Sequence, residues 1–110
     1  MLFRSFPADW PAQAAEIQNS GRFKHGINVE MVVIKDGHNL EVRFFERGVG
    51  ETRSSGTGSC ASAVAAIATG RAESPVAVHA AGGVQTVRWQ EGEVFLRGPA
   101  QLICRGEFFV

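Results

Sequence analysis

From Glu46 to Gly58 the chain reads Glu-Arg-Gly-Val-Gly-Glu-Thr-Arg-Ser-Ser-Gly-Thr-Gly, too rich in glycine and hydroxyl side chains for a regular strand or helix. It opens directly onto Ser59 to Thr69, a run of small helix formers. The first N–H groups of a helix have no intrahelical partner and carry the positive end of its dipole, so the Gly56-Thr57-Gly58 end is suited to an anion. Gly56 and Gly58 would let the backbone approach a carboxylate or phosphate, and the Thr57 hydroxyl adds a donor. Arg47 offers a bidentate fork for a second carboxylate, and Glu46 beside it can receive an ammonium group. Guanidinium, carboxylate and helix end together match the charges of an amino acid. Read more plainly, the glycines could serve only to turn the chain sharply into the helix.

Other chemistries that use glycine-rich loops do not fit. A Walker A loop needs a lysine that is missing here, a dinucleotide fingerprint begun at Gly48 would need glycine at Arg53, and a nucleophile elbow fails at both Ser55 and Ser59. His25, His38 and His79 are scattered and read as surface residues. Cys60 and Cys104 belong to no CxxC or Cys/His cluster, so no metal site is expected, and both read as buried thiols of a reducing compartment.

Those residues must be positioned by a small fold. The 110 residues carry 11 Lys plus Arg against 11 Asp plus Glu, which argues for one domain spanning 1–110 and against nucleic acid or an anionic membrane as partner. With 45% hydrophobic residues, a core is affordable and disorder is excluded. No apolar window reaches membrane-spanning length, and Pro7, Asp9 and Pro11 interrupt any signal-like start, so a cytoplasmic location is expected.

Trp10, Ala14 and Ile17 have helical spacing, with Asp9 as N-cap and Asn19-Ser20-Gly21 as the stop. Val29 to Lys35 and His38 to Glu46 alternate as a hairpin around Asp36-Gly37, with Phe44 and Phe45 covering opposite faces. The Ser59–Thr69 helix lacks a polar face and predicts a helix buried on all sides, closed by Gly70. Val76–His79, Val84–Trp89, Glu93–Arg97, Ala100–Cys104 and Glu107–Val110 read as a meander of strands. The expected class is α+β, an antiparallel sheet or barrel wrapped around a central buried helix, with both tryptophans and the phenylalanines in its core.

The segment Asn28-Val29-Glu30, then Glu46-Arg47-Gly48-Val49-Gly50-Glu51-Thr52, then Gly56-Thr57-Gly58 before a small-residue helix closely resembles the C-terminal half of diaminopimelate epimerase. The likeness runs from about Phe23 to the C-terminus, with glycine turns at Gly82-Gly83 and Gly98-Pro99. The resemblance implies one half of a two-domain fold and a cofactor-independent, PLP-independent isomerase that interconverts LL- and meso-diaminopimelate in lysine and cell-wall biosynthesis. In that family two cysteines work on opposite faces of the substrate α-carbon, one from each domain. It implies that Gly56 and Thr57 hold the reacting carboxylate, that Asn28 and Arg47 grip the distal end, and that Glu46 contacts the amine and helps set the thiol protonation states.

Two departures stand out. Ser55 occupies the position of the family's catalytic cysteine, and a hydroxyl is a far weaker acid than a thiol; Cys60, inside the first turn of the helix, reads as core packing. The second departure is that only one domain is present, so the partners implied are the amino acid, a complementary N-terminal domain and, through uncovered strand edges, a homo-oligomer; the isolated chain is expected to catalyse poorly. The alternatives are a non-catalytic amino-acid-binding or interaction module, and an isomerase of the proline racemase or phenazine type.

Overall fold

The computed structural model describes residues 2–110. Its spine is the hairpin expected from the alternating pattern: β2 (Val29–Asp36) and β3 (Asn39–Glu46) pair antiparallel with Val32 opposite Val42. The Asp36 carboxylate accepts the His38 N–H at 2.8 Å, so the turn is closed by its own side chain. β1 (Leu2–Phe3) lies beside β2, and β4 (Gly50–Thr52) folds back onto the end of β3. After α2 (Gly56–Ala68), β5 (Val76–Ala80), β6 (Gly83–Gln90) and β7 (Glu93–Arg97) extend the sheet in the order β1-β2-β3-β5-β6-β7. The helix α1 (Trp10–Gln18) precedes β2.

Strand alternation sends two sets of side chains to opposite faces. Val32, Leu40, Val42 and Phe44, with Val76, Val78 and Val87, pack on Ala63 and Ala66 of α2. On the other face Val29 and Met31 meet Trp10 and Ala14 of α1, where the Trp10 and Phe45 rings sit edge to face at 6.3 Å. The molecule is therefore three layers, with the sheet between two helices.

The sheet differs from the antiparallel sheet or barrel in two respects. It is mixed, because β1 runs parallel to β2 and β5 parallel to β3. A helix between β3 and β5 carries the chain back across the sheet, and a return of that kind brings the next strand in parallel. The sheet is also open, so α2 is covered along Gly58, Ser59, Ser62, Ala63 and Ala66 while Thr57, Ala61, Ala65 and Ala68 remain exposed. The expected cover on all sides exists on one side.

Residues 98–110, read as two strands, have no regular structure and are exposed throughout, including Leu102, Ile103, Phe108 and Phe109. They pair with no strand among the described residues. Cys104 lies in this segment and is exposed rather than buried, and Phe23 and Phe95 also lie outside the core.

The α2-facing layer carries the larger stake in stability. Phe44 is 1% exposed, so Phe44→Ala should lower the unfolding free energy by roughly 3–5 kcal/mol in urea titrations, while Val49→Ala, at 70% exposure, should stay within about 0.5 kcal/mol.

Candidate functional site

Ser55 takes extended dihedrals as the N-cap of α2, and its Oγ accepts the Gly58 N–H at 3.0 Å. That bond draws Gly56, Thr57 and Gly58 into the helix, three residues earlier than helix propensity alone suggests. At the far end Gly70, at φ +74, closes the helix: its N–H meets the Ile67 carbonyl and the Arg71 N–H meets that of Ala66. The loop leading in is fastened from the side, since the Gly82 N–H donates to the Arg53 carbonyl at 2.7 Å and the Arg53 guanidinium to the Ala81 carbonyl at 3.1 Å. A Cβ at Gly82 would stand 2.8 Å from that Arg53 oxygen, so the turn must be glycine. Ser59 Oγ, bonded to Gln85 Oε1 at 2.7 Å, ties the helix start to β6.

Gly48 and Gly50 adopt positive φ, as the glycine-rich reading requires, but Gly50–Thr52 forms β4 instead of continuing as loop. Glu46 pairs opposite Gly50 at the end of β3 and is partly buried. Asn28, just before β2, accepts the Arg47 N–H through its Oδ1 at 2.8 Å, bringing these two predicted residues together. The Arg47 side chain folds back on the preceding loop, its Nη1 donating to the His25 carbonyl and its stem packed against Gly26. Gly26, at φ +78 and without a side chain, makes the room. Asn28 and Glu30 line a groove of about 290 Å³ between β2 and α2, floored by Val32, Ala61 and Ala65. Thr57 is exposed at the mouth of the helix, and Gly56 lies against Leu96 of β7.

Glu30 is the residue that motif reading passed over. It occupies an α2-facing position of β2, opposite Phe44, where alternation calls for an apolar side chain. A Cβ at Gly58 would fall 2.9 Å from Glu30 Oε1 and 2.8 Å from Phe44 Cδ1, so helix and hairpin approach more closely than any other residue at 58 allows. Burial pushes the Glu30 carboxyl up, and the Glu46 carboxylate adds to the rise. A charged residue on an apolar period was the available signal. Cys60 packs against the core, and burial pushes its thiol up, so it stays protonated. No group of three or more His, Cys, Asp or Glu that could hold a metal occurs among the described residues. No helix among them is long and apolar enough to cross a membrane.

A carboxyl whose folded pKa lies above its unfolded value binds more protons folded than unfolded in between, so its contribution is fully present below the unfolded value and is lost as pH rises through the folded one. Starting from an ordinary value of 4.5, Glu30 should thus lower stability progressively above that pH. Denaturant titrations of Glu30→Gln and the parent at about pH 4 and about pH 7 should show the variant gaining relative stability at the higher pH.

The profile of the diaminopimelate epimerase family matches residues 4–103. The chain is 40% identical over 97 residues to the diaminopimelate epimerase of Bacillus subtilis (strain 168), covering 86% of this chain and 34% of that protein. With the diaminopimelate epimerase of Bacillus mycoides (strain KBAB4) it shares 43% identity over 89 residues, 78% of this chain and 31% of the relative. The chain thus spans about a third of the length of the curated relatives it matches. Among solved structures, a PhzF-family phenazine biosynthesis protein of Bacillus anthracis superimposes with a TM-score of 0.59 at 15% identity, covering 84% of this chain and 30% of that one, a likeness of fold. The match of nearly the whole sequence to one profile carries the conclusion that this chain belongs to the diaminopimelate epimerase family.

Proposed function

We propose that this chain is the second domain of a cofactor-independent amino acid epimerase acting on diaminopimelate, and that it requires a complementary domain to turn over. The observation that carries the reading is the capped N-terminus of α2, packed at Gly58 against Glu30 and Phe44 of the two strands whose ends carry Asn28, Glu46 and Arg47. Loss of the α-proton shifts negative charge onto the substrate carboxylate. Free N–H groups at a helix start, fixed before reaction, stabilise that charge most when it is greatest. Gly56 and Thr57 would hold this carboxylate, Asn28 and Arg47 the distal end, and Glu46 the amine. The complementary domain would close the cleft against water and cover the apolar side chains of 98–110. Cytoplasmic residence and a homo-oligomeric state complete the reading.

Position 55 decides whether the site turns over. A thiolate there would remove or deliver the α-proton; Ser55 instead spends its oxygen on the Gly58 N–H. That same bond favours a second reading, a module that binds an amino acid without transforming it.

Two measurements separate these readings. In a protein that joins this chain to the N-terminal half of a homologous epimerase, Ser55→Cys should incorporate deuterium from heavy water at the diaminopimelate α-carbon, with the serine form slower by roughly 100-fold or more. Absence of uptake in the cysteine form overturns the epimerase reading. In calorimetry with diaminopimelate, Arg47→Ala should weaken binding by about 10- to 100-fold, the scale of a charge-assisted pair. Unchanged affinity would remove Arg47 from the site.

A further inference from the structure

Two polar residues stand at strand positions that face α2 and that alternation assigns to apolar side chains. One is Glu30, against Gly58. The other is Gln85, which pairs opposite Val78 and shares the face of the sheet that carries the buried Val76, Val78 and Val87. Its Oε1 accepts the Ser59 hydroxyl at 2.7 Å, and Ser59 is 1% exposed. A buried serine in a helix does not by itself call for a partner in the sheet: Ser62 settles its hydroxyl within α2, on the Gly58 carbonyl at 2.7 Å. Ser59 instead reaches across to β6.

What that bond holds is the first turn of α2. The Gly58 and Ser59 N–H groups are taken up by Ser55, by its Oγ at 3.0 Å and its carbonyl at 2.9 Å, so the helix-start donors left for a ligand are those of Gly56 and Thr57. They belong to a stretch with glycine at 56 and 58, whose backbone is freer than that of any other residue. The β6–β7 hairpin restrains it. Leu96 lies against Gly56, 3.1 Å from where a Cβ would stand, and the Gln85 amide is backed by Gly98, with its Nε2 3.6 Å from the Cβ position there. Leu96 supplies contact, which has little direction. The Ser59–Gln85 bond is directional, so it fixes how the turn is oriented as well as where it lies.

We infer that Gln85 is a positioning residue of the carboxylate site: through the Ser59 hydroxyl it fixes the first turn of α2 and so aims the Gly56 and Thr57 N–H groups. The inference rests on the reading that these groups receive the substrate carboxylate. Hydrogen bonds weaken steeply with misalignment, so donors that wander must be ordered each time a ligand binds, and that ordering subtracts from affinity. Donors held in place beforehand escape the loss.

Two variants and their combination test it. Gln85→Met keeps an unbranched side chain and removes the acceptor, and Ser59→Ala removes the donor. In backbone amide relaxation of the 110-residue chain by NMR, the order parameters of Gly56 and Thr57 should fall from about 0.85 toward about 0.6 in either variant, while those of Ala63 to Ala66 stay as in the parent. Affinity for diaminopimelate in calorimetry should fall by about 10-fold. The double variant separates positioning from packing. With both partners apolar no buried polar group is left unmatched, so its denaturant stability should return toward that of the parent. Its order parameters and affinity should remain as low as in the single variants, because all three changes remove one shared bond. Order parameters that do not move, single variants that bind as tightly as the parent, or an affinity that recovers with stability in the double variant would each overturn the inference and leave the epimerase reading standing. A parent chain that binds no diaminopimelate overturns that reading and this inference with it.

Discussion

Where α2 begins, its third residue lies so close to the β2–β3 hairpin that a methyl group at Gly58 would collide with the Phe44 ring and the Glu30 carboxylate. Much of the molecule follows from that approach. It presses the helix start onto the most buried aromatic ring of the core, beside the cap in which the Ser55 oxygen reaches the Gly58 N–H. Glycine is often read as freedom of backbone angle. Here its smallness matters, because the φ of Gly58 is an ordinary helical one.

The same approach gives the site its electrostatic character. A carboxylate at Glu30 is partly withdrawn from water and feels Glu46, so both charge and burial act against its ionisation. The positive end of the helix dipole lies within reach and offers compensation. Helix-end donors and the Glu30 carboxylate thus stand within one small region. Nothing in the neutral net charge of the chain reveals that local separation.

Around this centre the fold is only partly closed. One flank of α2, the β7 edge and the segment 98–110 all present apolar groups to solvent. These surfaces coincide with a chain that spans about a third of its relatives.

Local pattern determined a good deal. The β2–β3 hairpin, α1 with its Asp9 and Asn19 ends, the body of α2 and β7 all stand where alternation, helical spacing and turn residues put them, because each depends on contacts between neighbours in sequence. The motif residues were equally legible: Asn28 and Arg47 are joined through one hydrogen bond, and Ser55 stands at the helix start. Other features were decided only by tertiary structure. β4 exists because β3 offers it an edge, residues 98–110 lack strand structure because nothing pairs with them, and the Arg47 guanidinium is drawn to the His25 carbonyl by a loop many residues away. Glu30 comes against the start of α2 only because the helix packs closely at Gly58. Pairing and close packing between distant segments depend on which partner is present in space, and no spacing along one chain encodes that.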